Sequence, residues 1–146
     1  MTDVPTTSSS PSMPAPVAAW HRIAESRDPA GLDELLADDV VFRSPAVHTP
    51  QEGKQLATAY LAAAVDVLGP TLVYRRQWYA EGSAVLEFEA DLDGISVHGI
   101  DMLAWGEDGR LREFTVMVRP VKGLHALIER MAARLATGQA GAQQRP

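Results

Sequence analysis

The spacing of hydrophobic positions changes twice along this chain. Apolar residues three and four positions apart recur over residues 16–26, 54–68 and 124–135, which predicts a helix in each segment. Asp28 followed by Pro29 has the pattern of an N-cap and a first helical residue, so a short helix is expected after the first one. Between the predicted helices at 54–68 and 124–135, apolar and polar residues alternate instead of recurring every three or four positions.

Alternation of apolar and polar side chains predicts strands over 40–43, 72–80, 85–105 and 111–119, the third span being two strands and a turn. The prolines and glycine of 44–53 predict a loop. Helices precede and follow a run of consecutive strands. This order is typical of the α+β class, with helices packed on one face of a curved antiparallel sheet.

The third span predicts a β-hairpin, because Asp93-Gly94 is a two-residue turn signal between two alternating runs. That turn sets Leu86 opposite Asp101. Side chains on a strand alternate between two faces, so the inner face of the hairpin can be read from the register. Its members are Leu86, Phe88, Ala90, Leu92, Ile95, Val97, Gly99, Asp101, Leu103 and Trp105.

Asp101 is the charged residue on that face. A carboxylate among apolar side chains is costly unless it is paired, hydrogen-bonded or protonated, and burial raises its pKa. Such carboxylates cluster at functional sites, so Asp101 is the candidate catalytic residue. The alternative is a structural carboxylate held by Arg112 or by a tyrosine. A four-residue loop after Trp105 would pair Trp105 with Arg110 and place Phe114 beside Asp101.

Composition limits the architecture and the partners. The chain has 146 residues, 46% of them hydrophobic, which fits one α+β domain at 15–137. Residues 1–14 and 138–146 have little to bury and are predicted to be disordered tails. A formal net charge of −6 without a basic cluster argues against nucleic acid or an anionic membrane as a partner.

Several chemistries are also disfavoured. The chain has no cysteine, which excludes disulfides and thiolate catalysis. Its histidines and carboxylates lack the spacing of metal ligands, so no metal and no other cofactor is predicted. Neither an apolar run of about 18 residues nor a signal-peptide pattern is present, so a cytoplasmic protein is expected.

From Trp20 to Pro120 the chain resembles the nuclear transport factor 2-like superfamily, which includes SnoaL-like polyketide cyclases and ketosteroid isomerases. The strings that carry the resemblance are LLADDVVFRSP, GIDMLAWGEDGRLREF and VMVRP, with Gly53 opening a helix after the first. The resemblance implies a cone-shaped fold in which helices and a concave sheet face enclose a deep apolar pocket. Members of this superfamily include enzymes and proteins that only bind, so the fold alone does not define the function.

The resemblance also implies roles for individual positions. Asp101 falls where ketosteroid isomerases keep an aspartic acid protonated in their oxyanion hole. Ser44 stands in place of the isomerase's general base, and Trp20 in place of its oxyanion-hole tyrosine, which disfavours the familiar isomerase mechanism. SnoaL-like cyclases rely on one aspartate, a role that Asp101 fits. Val116 replaces an aspartate that epoxide hydrolases of this fold require, so that chemistry is disfavoured.

Other residues are candidate ligand contacts. The aromatic ones either line a pocket or belong to an ordinary core, and Tyr60 aims its hydroxyl either at the pocket or at the surface. His48 lies in the loop that borders the pocket mouth in the family. His98 is expected on the outer face, opposite Glu89. The candidate substrate-binding residues are Trp20, Ser44, His48, Tyr60, Phe88, Leu103, Trp105, Phe114 and Val116.

The sequence therefore predicts a SnoaL-like protein that binds a small, largely apolar molecule around Asp101. If it is an enzyme, the expected chemistry is proton transfer on a carbonyl compound by cyclisation, isomerisation or dehydration. The alternative is a non-catalytic ligand-binding or dimerisation module. Val85, Ile100, Met102 and Ala104 form an apolar patch on the outer face, which favours a homodimer.

Overall fold

The computed structural model describes the backbone of residues 12–143 and the side chains of residues 12–137. Residues 1–11 of the predicted N-terminal tail lie outside the described part of the chain, as do residues 144–146. The elements in chain order are α1 (Ala15–Ser26), a 3-10 turn (Pro29–Gly31), α2 (Leu32–Leu35), β1 (Leu36–Arg43), β2 (Gln51–Glu52), α3 (Lys54–Leu68), β3 (Val73–Ala80), β4 (Ser83–Leu92), β5 (Ile95–Trp105), β6 (Leu111–Arg119) and α4 (Val121–Gln143).

The strands form one six-stranded sheet in the order β2-β1-β6-β5-β4-β3. The α+β class is confirmed, and the sheet is curved and unclosed with helices against it. The predicted antiparallel pairing is present between β1 and β2 and throughout β3 to β6, whereas β1 pairs with β6 in parallel. Parallel neighbours require a long connection, and here it spans residues 44–110, which contain α3 and four of the other strands. Alternation along a strand carries no information about the direction of its neighbour.

The central hairpin has the predicted register. Asp93 and Gly94 have φ angles of 52° and 89°, both positive, as a type I′ turn requires. The pairs run from Leu92 opposite Ile95 outward and place Leu86 opposite Asp101. The alternation of faces along β4 and β5 is therefore set by a local turn signal.

The predicted register of β5 with β6 is wrong by two residues. A β-bulge at Ala104 and Trp105 pairs Trp105 with Leu111, and Asp101 then lies opposite Val116 instead of Phe114. The sequence shows the glycines of this turn but not the extra residue that the bulge accommodates. Because the shift beyond the bulge is an even number, Phe114, Val116 and Val118 keep their predicted face, whereas Arg112, next to the bulge, does not.

Helix α4 is longer than predicted. It starts at Val121, where the amide of Leu124 bonds the carbonyl of Pro120, and its backbone continues through Gly138 to Gln143. The predicted disordered tail from Gly138 is thus helical over its first residues. A glycine inside a helix costs about 1 kcal/mol relative to alanine, which does not terminate a helix flanked by good helix formers. No helix in residues 12–143 has the length and hydrophobicity needed to cross a membrane.

The outer face of the sheet carries a buried carboxylate, Glu87. Arg76 binds both of its oxygens, at 2.7 and 3.0 Å, and Nε2 of His98 lies 2.7 Å from Oε2. Hydrogen bonds from Arg76 and then His98 lower the pKa of Glu87 to about 2. The prediction that His98 faces outward opposite Glu89 is confirmed. Its hydrogen-bond partner is Glu87, which lies diagonally across from it on the neighbouring strand.

The core lies between the concave face and the helices. Helix α3 contacts β1 and α4, and α4 contacts β5 and β6. Three phenylalanines are among the fully buried side chains, and one of them, Phe88, lies over Gly99 on the neighbouring strand. A Cβ atom at Gly99 would come within 2.4 Å of the Met117 carbonyl oxygen and 2.7 Å of Cζ of Phe88. Position 99 is thus restricted to glycine by close packing.

We expect Gly99→Ala to lower the free energy of unfolding by about 1–3 kcal/mol, because the added methyl group overpacks a backbone contact. Urea denaturation of the purified variant measures this loss. Ser96→Ala, at an exposed position of the same strand, is the matched control and should leave stability within about 0.5 kcal/mol of the parent. Equal stability of the two variants would contradict the packing argument.

Candidate ligand-binding site

A cavity of about 190 Å³ lies between the concave face of the sheet and the helices. Side chains of α1, α3, α4, the sheet and the loop after β1 line it, and almost all of them are apolar. The polar side chains of the lining are Trp20, Ser44, Tyr60, Tyr74 and Asp101. Such a cavity matches a small ligand with a large apolar surface and few polar groups.

Asp101 lies in the middle of β5 and is 5% exposed. The Tyr74 hydroxyl donates a hydrogen bond to Oδ2 of Asp101 at 2.5 Å. The indole N–H of Trp20 donates in turn to the Tyr74 oxygen at 2.7 Å. Three side chains from α1, β3 and β5 thus form one hydrogen-bonded chain that ends at the carboxyl group.

Burial raises the pKa of Asp101 to about 7, and the hydrogen bond from Tyr74, with the Trp20 indole next to it in the chain, holds the pKa below the value that burial alone would impose. The pKa of Tyr74 is raised well above its usual range, first by burial and then by the neighbouring Asp101 charge. At neutral pH the phenol therefore keeps its proton, while the carboxyl group populates both protonation states.

The structure brings most of the predicted site residues to this cavity. Asp101 is joined by six of the nine candidate contacts, and three lie elsewhere. Those in the lining are Trp20, Ser44, Tyr60, Phe88, Phe114 and Val116.

His48, Leu103 and Trp105 do not line the cavity. Leu103 and Trp105 share the inner face with Asp101. Successive residues on one face of a strand are about 7 Å apart, so these two side chains lie beyond the cavity, in the core. His48 is exposed on the loop after β1. Arg112 does not hold Asp101 either, because its guanidinium lies 3.6 Å from Asp39 at the surface.

Tyr74 is the contact of Asp101 that sequence reasoning did not place. Counting back from the pair of Ala80 and Ser83 at the β3–β4 turn would set Tyr74 opposite Glu89, on the outer face. A register shift between Tyr74 and Gln77 sets it opposite Phe88 instead, on the inner face. A bulge moves every preceding side chain to the other face, and no residue type in this strand announces it.

Helix α4 closes one side of the cavity. Leu127, Ile128, Met131 and Leu135, part of the predicted apolar stripe, belong to the lining. An ion pair between Arg134 of α4 and Asp66 of α3, at 2.7 Å, joins the two helices at this side. The sequence predicts this helix and its periodic apolar residues, and the structure shows that they cover the cavity.

No group of three metal-ligating side chains occurs in the part of the chain that the structure describes. The site is thus defined by a buried carboxyl group in an apolar cavity of an α+β cone, an architecture of the nuclear transport factor 2-like superfamily. Within it, residues 17–114 match the SnoaL-like domain, and the chain belongs to that family.

Solved structures support the assignment. A protein described as a steroid delta-isomerase from Pseudomonas aeruginosa shares 41% identity, covers 86% of this chain and 93% of its own, and superposes with a TM-score of 0.82. An uncharacterized protein from Silicibacter pomeroyi DSS-3 with a cystatin-like fold shares 27% identity over 91% of this chain and 94% of its own, with a TM-score of 0.82. No curated protein matches the sequence.

More distant structures share the fold alone. One is an NTF2-like protein of unknown function from Mesorhizobium loti, which is 21% identical over 72% of this chain and 91% of its own, with a TM-score of 0.63. At that identity the likeness concerns the backbone arrangement and not the chemistry of the site.

The raised pKa of Asp101 predicts how stability depends on pH. The folded-state pKa, about 7, exceeds the ordinary value of 3.8, so folding binds a proton between these values. The stabilisation is complete below pH 3.8 and is lost as pH rises through 7. Asp101→Asn, an uncharged mimic of the protonated acid, should remove this dependence.

Urea denaturation of both proteins from pH 5 to pH 8.5 measures the difference. We expect the free energy of unfolding of the parent to fall relative to Asp101→Asn by on the order of a few kcal/mol across this window. Glu87 titrates below the window and does not contribute. Parallel pH profiles for the two proteins would show that the Asp101 carboxyl group keeps an ordinary pKa.

Proposed function

We propose that the protein binds a small, largely apolar carbonyl compound in the cavity and that Asp101 transfers a proton on it. The observation that carries this proposal is the chemistry of the lining. Among the described residues, Asp101 is the one carboxyl group there, it is 5% exposed, and its pKa is about 7. A buried acid that populates both states near neutral pH is suited to general acid–base catalysis.

One carboxyl group serves both halves of the reaction in this proposal. As a carboxylate it accepts a proton from the carbon next to the carbonyl, leaving an enolate. As the resulting acid it donates a proton to another atom of the same molecule, which completes an isomerisation; cyclisation and dehydration use the same two steps with a different bond formed or broken. A carboxylic acid exchanges its proton with water, so in deuterium oxide part of the ketone acquires deuterium.

Ser44 does not supply a second base. It is the first residue after β1, and its Oγ accepts a hydrogen bond from the Ala46 amide at 2.8 Å, which shapes the loop. A serine hydroxyl without a basic partner does not deprotonate a carbon acid. The similarity to the steroid delta-isomerase supports isomerisation as the reaction type. In this proposal Asp101 acts without a second carboxyl group.

A second candidate function is ligand binding without catalysis. The observation in its favour is the Tyr74 hydroxyl, which already satisfies Oδ2 of Asp101 at 2.5 Å, as in a structural hydrogen-bonded pair. In that case Asp101 orients a bound molecule and transfers no proton. Exchange of hydrogen for deuterium separates the two functions.

Two β,γ-unsaturated ketones are the probes for this experiment, cyclohex-3-enone and a steroid ketone, each incubated with the protein in deuterium oxide. We expect deuterium to enter next to the carbonyl faster than in buffer, and Asp101→Asn to reduce the enzymatic rate by roughly 10²-fold or more. NMR of the ketone measures incorporation. Asp91→Asn, an exposed carboxylate on the outer side of β4, is the matched control.

Binding of either ketone, seen as shifts of the Trp20 indole signal, without accelerated exchange would favour the non-catalytic function. Equal exchange rates for the parent and Asp101→Asn would exclude Asp101 as the proton-transfer group.

We also infer that the protein forms a homodimer through the outer face of the sheet. Trp78, Met102 and Met117 are 50%, 37% and 52% exposed there, although each lies within a strand. Val85 pairs with both Trp78 and Met102, so these residues run across the sheet as a continuous strip. Ile100, which pairs with Met117, widens it. These five residues constitute the outer-face patch.

The charges around the outer-face patch suit a second copy of the same chain. Arg43 pairs with Glu113 at 2.8 Å on one side, and Arg76 pairs with Glu87 at 2.7 Å on the other. Because these charges are compensated within each copy, two identical faces approach each other without strong repulsion. A twofold axis through the patch would bury it on both copies.

Met117→Glu places a charge in the patch and should convert the dimer to a monomer. Light scattering across micromolar concentrations measures the mass of each species. Val121→Glu, at a position 68% exposed at the start of α4, is the control and should leave the dimer intact. A monomeric mass for the parent protein at every concentration would contradict the homodimer.

A further inference from the structure

The hydrogen-bonded chain that ends at Asp101 has a fixed direction. An indole N–H is only a donor, so the Tyr74 oxygen must accept from Trp20. The single hydroxyl hydrogen of Tyr74 then remains for Oδ2 of Asp101, 2.5 Å away. Chemistry thus assigns the hydrogen positions along the chain, from Trp20 through Tyr74 to Asp101.

Packing holds the two aromatic rings in place. The Tyr74 ring meets His21 edge-on, with centroids 4.7 Å apart, and Phe88 at 6.2 Å. The Trp20 ring meets Phe114 edge-on at 4.8 Å. Neither ring needs to reorient when a ligand arrives, so the hydrogen-bond geometry is present before binding.

The two oxygens of Asp101 are therefore not equivalent. Oδ2 receives the Tyr74 hydrogen bond, whereas no hydrogen bond reaches Oδ1 from the described residues. A proton on the acid form resides on Oδ1, because Oδ2 already accepts a hydrogen. The same oxygen then accepts a proton in the ionised state and donates it in the protonated state.

We propose that Trp20 and Tyr74 are positioning residues, which hold Oδ2 of Asp101 and leave Oδ1 as the oxygen that meets the ligand. The assignment of Oδ1 to a ligand rests on the proposed function. The hold on Oδ2 does not, and it is measurable on the protein alone. Trp20 acts through Tyr74, as the direction of the chain requires.

A carboxyl titration tests this arrangement. The ¹³C signal of the Asp101 carboxyl group, followed by NMR in protein labelled with ¹³C-aspartate, gives its titration midpoint. The other titratable side chains at this position are Tyr60 of α3, which lines the same cavity, and His21 of α1, which packs on Tyr74. Neither accepts or donates a hydrogen bond to the Asp101 carboxyl group.

Tyr74→Phe removes a hydrogen bond that favours the carboxylate, so the midpoint of Asp101 should rise by on the order of one pH unit. Tyr79→Phe is the matched control. Tyr79 also lies on β3, but its hydroxyl donates to Gln77 at 2.9 Å, so the Asp101 midpoint in this variant should match that of the parent. A Tyr74→Phe midpoint equal to that of the parent would overturn the proposal.

Trp20→Phe should raise the midpoint by less than Tyr74→Phe, because the indole strengthens the Tyr74 hydrogen bond without replacing it. The double variant should match Tyr74→Phe alone, since Trp20 has no path to Asp101 once the hydroxyl is gone. Shifts that add in the double variant would show a direct action of Trp20 on Asp101 and would contradict the assigned chain.

A measurement on the unmodified protein covers the case in which a variant fails to fold. The indole N–H signal of Trp20 should shift with the same midpoint as the Asp101 carboxyl signal, because the charge acts through the Tyr74 hydroxyl. The indole signal of Trp105, which lies outside the cavity, should not follow that midpoint. Absence of the shift at Trp20 would overturn the proposal.

The outcomes also separate this proposal from the proposed function. If Tyr74→Phe shifts the midpoint and Asp101→Asn leaves ketone exchange unchanged, the positioning role stands and the catalytic proposal fails. If Asp101→Asn abolishes exchange and Tyr74→Phe leaves the midpoint in place, the catalytic proposal stands and the positioning role fails.

Discussion

The burial of one carboxyl group on an apolar sheet face is the constraint on which the site depends. Desolvation penalises the ionised form of Asp101 and raises its pKa to about 7, while the Tyr74 hydroxyl, together with the Trp20 indole, limits that rise. The protein thus retains a group whose ionisation lowers the free energy of unfolding as pH increases. Such a group is expected where it has a task other than stability, since an apolar residue of similar size would fill the space without the electrostatic cost.

Two irregularities in the sheet decide what surrounds that carboxyl group. The bulge near Trp105 moves Val116 opposite Asp101 and takes Arg112 to the surface, so no cation neutralises the carboxylate. The register shift in β3 turns Tyr74 toward the interior, where its hydroxyl meets Oδ2. A regular sheet would leave Asp101 without the Tyr74 hydroxyl. The chemistry of the site therefore depends on departures from ideal strand pairing.

The two faces of the hairpin treat their carboxylates in opposite ways. Glu87, on the outer face, forms an ion pair with Arg76 and a hydrogen bond with His98, and its pKa falls to about 2. Asp101, on the inner face, has only uncharged donors, and its pKa rises. The first remains ionised and stabilises the sheet, whereas the second is poised between its two states. Carboxylates on opposite faces of the same hairpin thus acquire distinct electrostatic roles.

Much of this architecture follows from local signals in the chain. The type I′ turn at Asp93-Gly94 sets the register of the central hairpin, and alternation from that turn identifies Asp101 as an inward-facing carboxylate. Helical periodicity sets the bounds of α3, and the turn residues between the alternating segments separate the strands. These features depend on neighbours a few positions apart, so the sequence specifies them directly.

Other features depend on contacts between distant parts of the chain. The parallel pairing of β1 with β6, the two register shifts and the partner of Asp101 are of this kind. Tyr74 is 27 positions from Asp101 and Trp20 is 54 positions from Tyr74, and no local pattern relates them. Only the packed tertiary structure brings these three side chains within hydrogen-bonding distance, because a bulge costs little locally and is selected by the fit of the surrounding core.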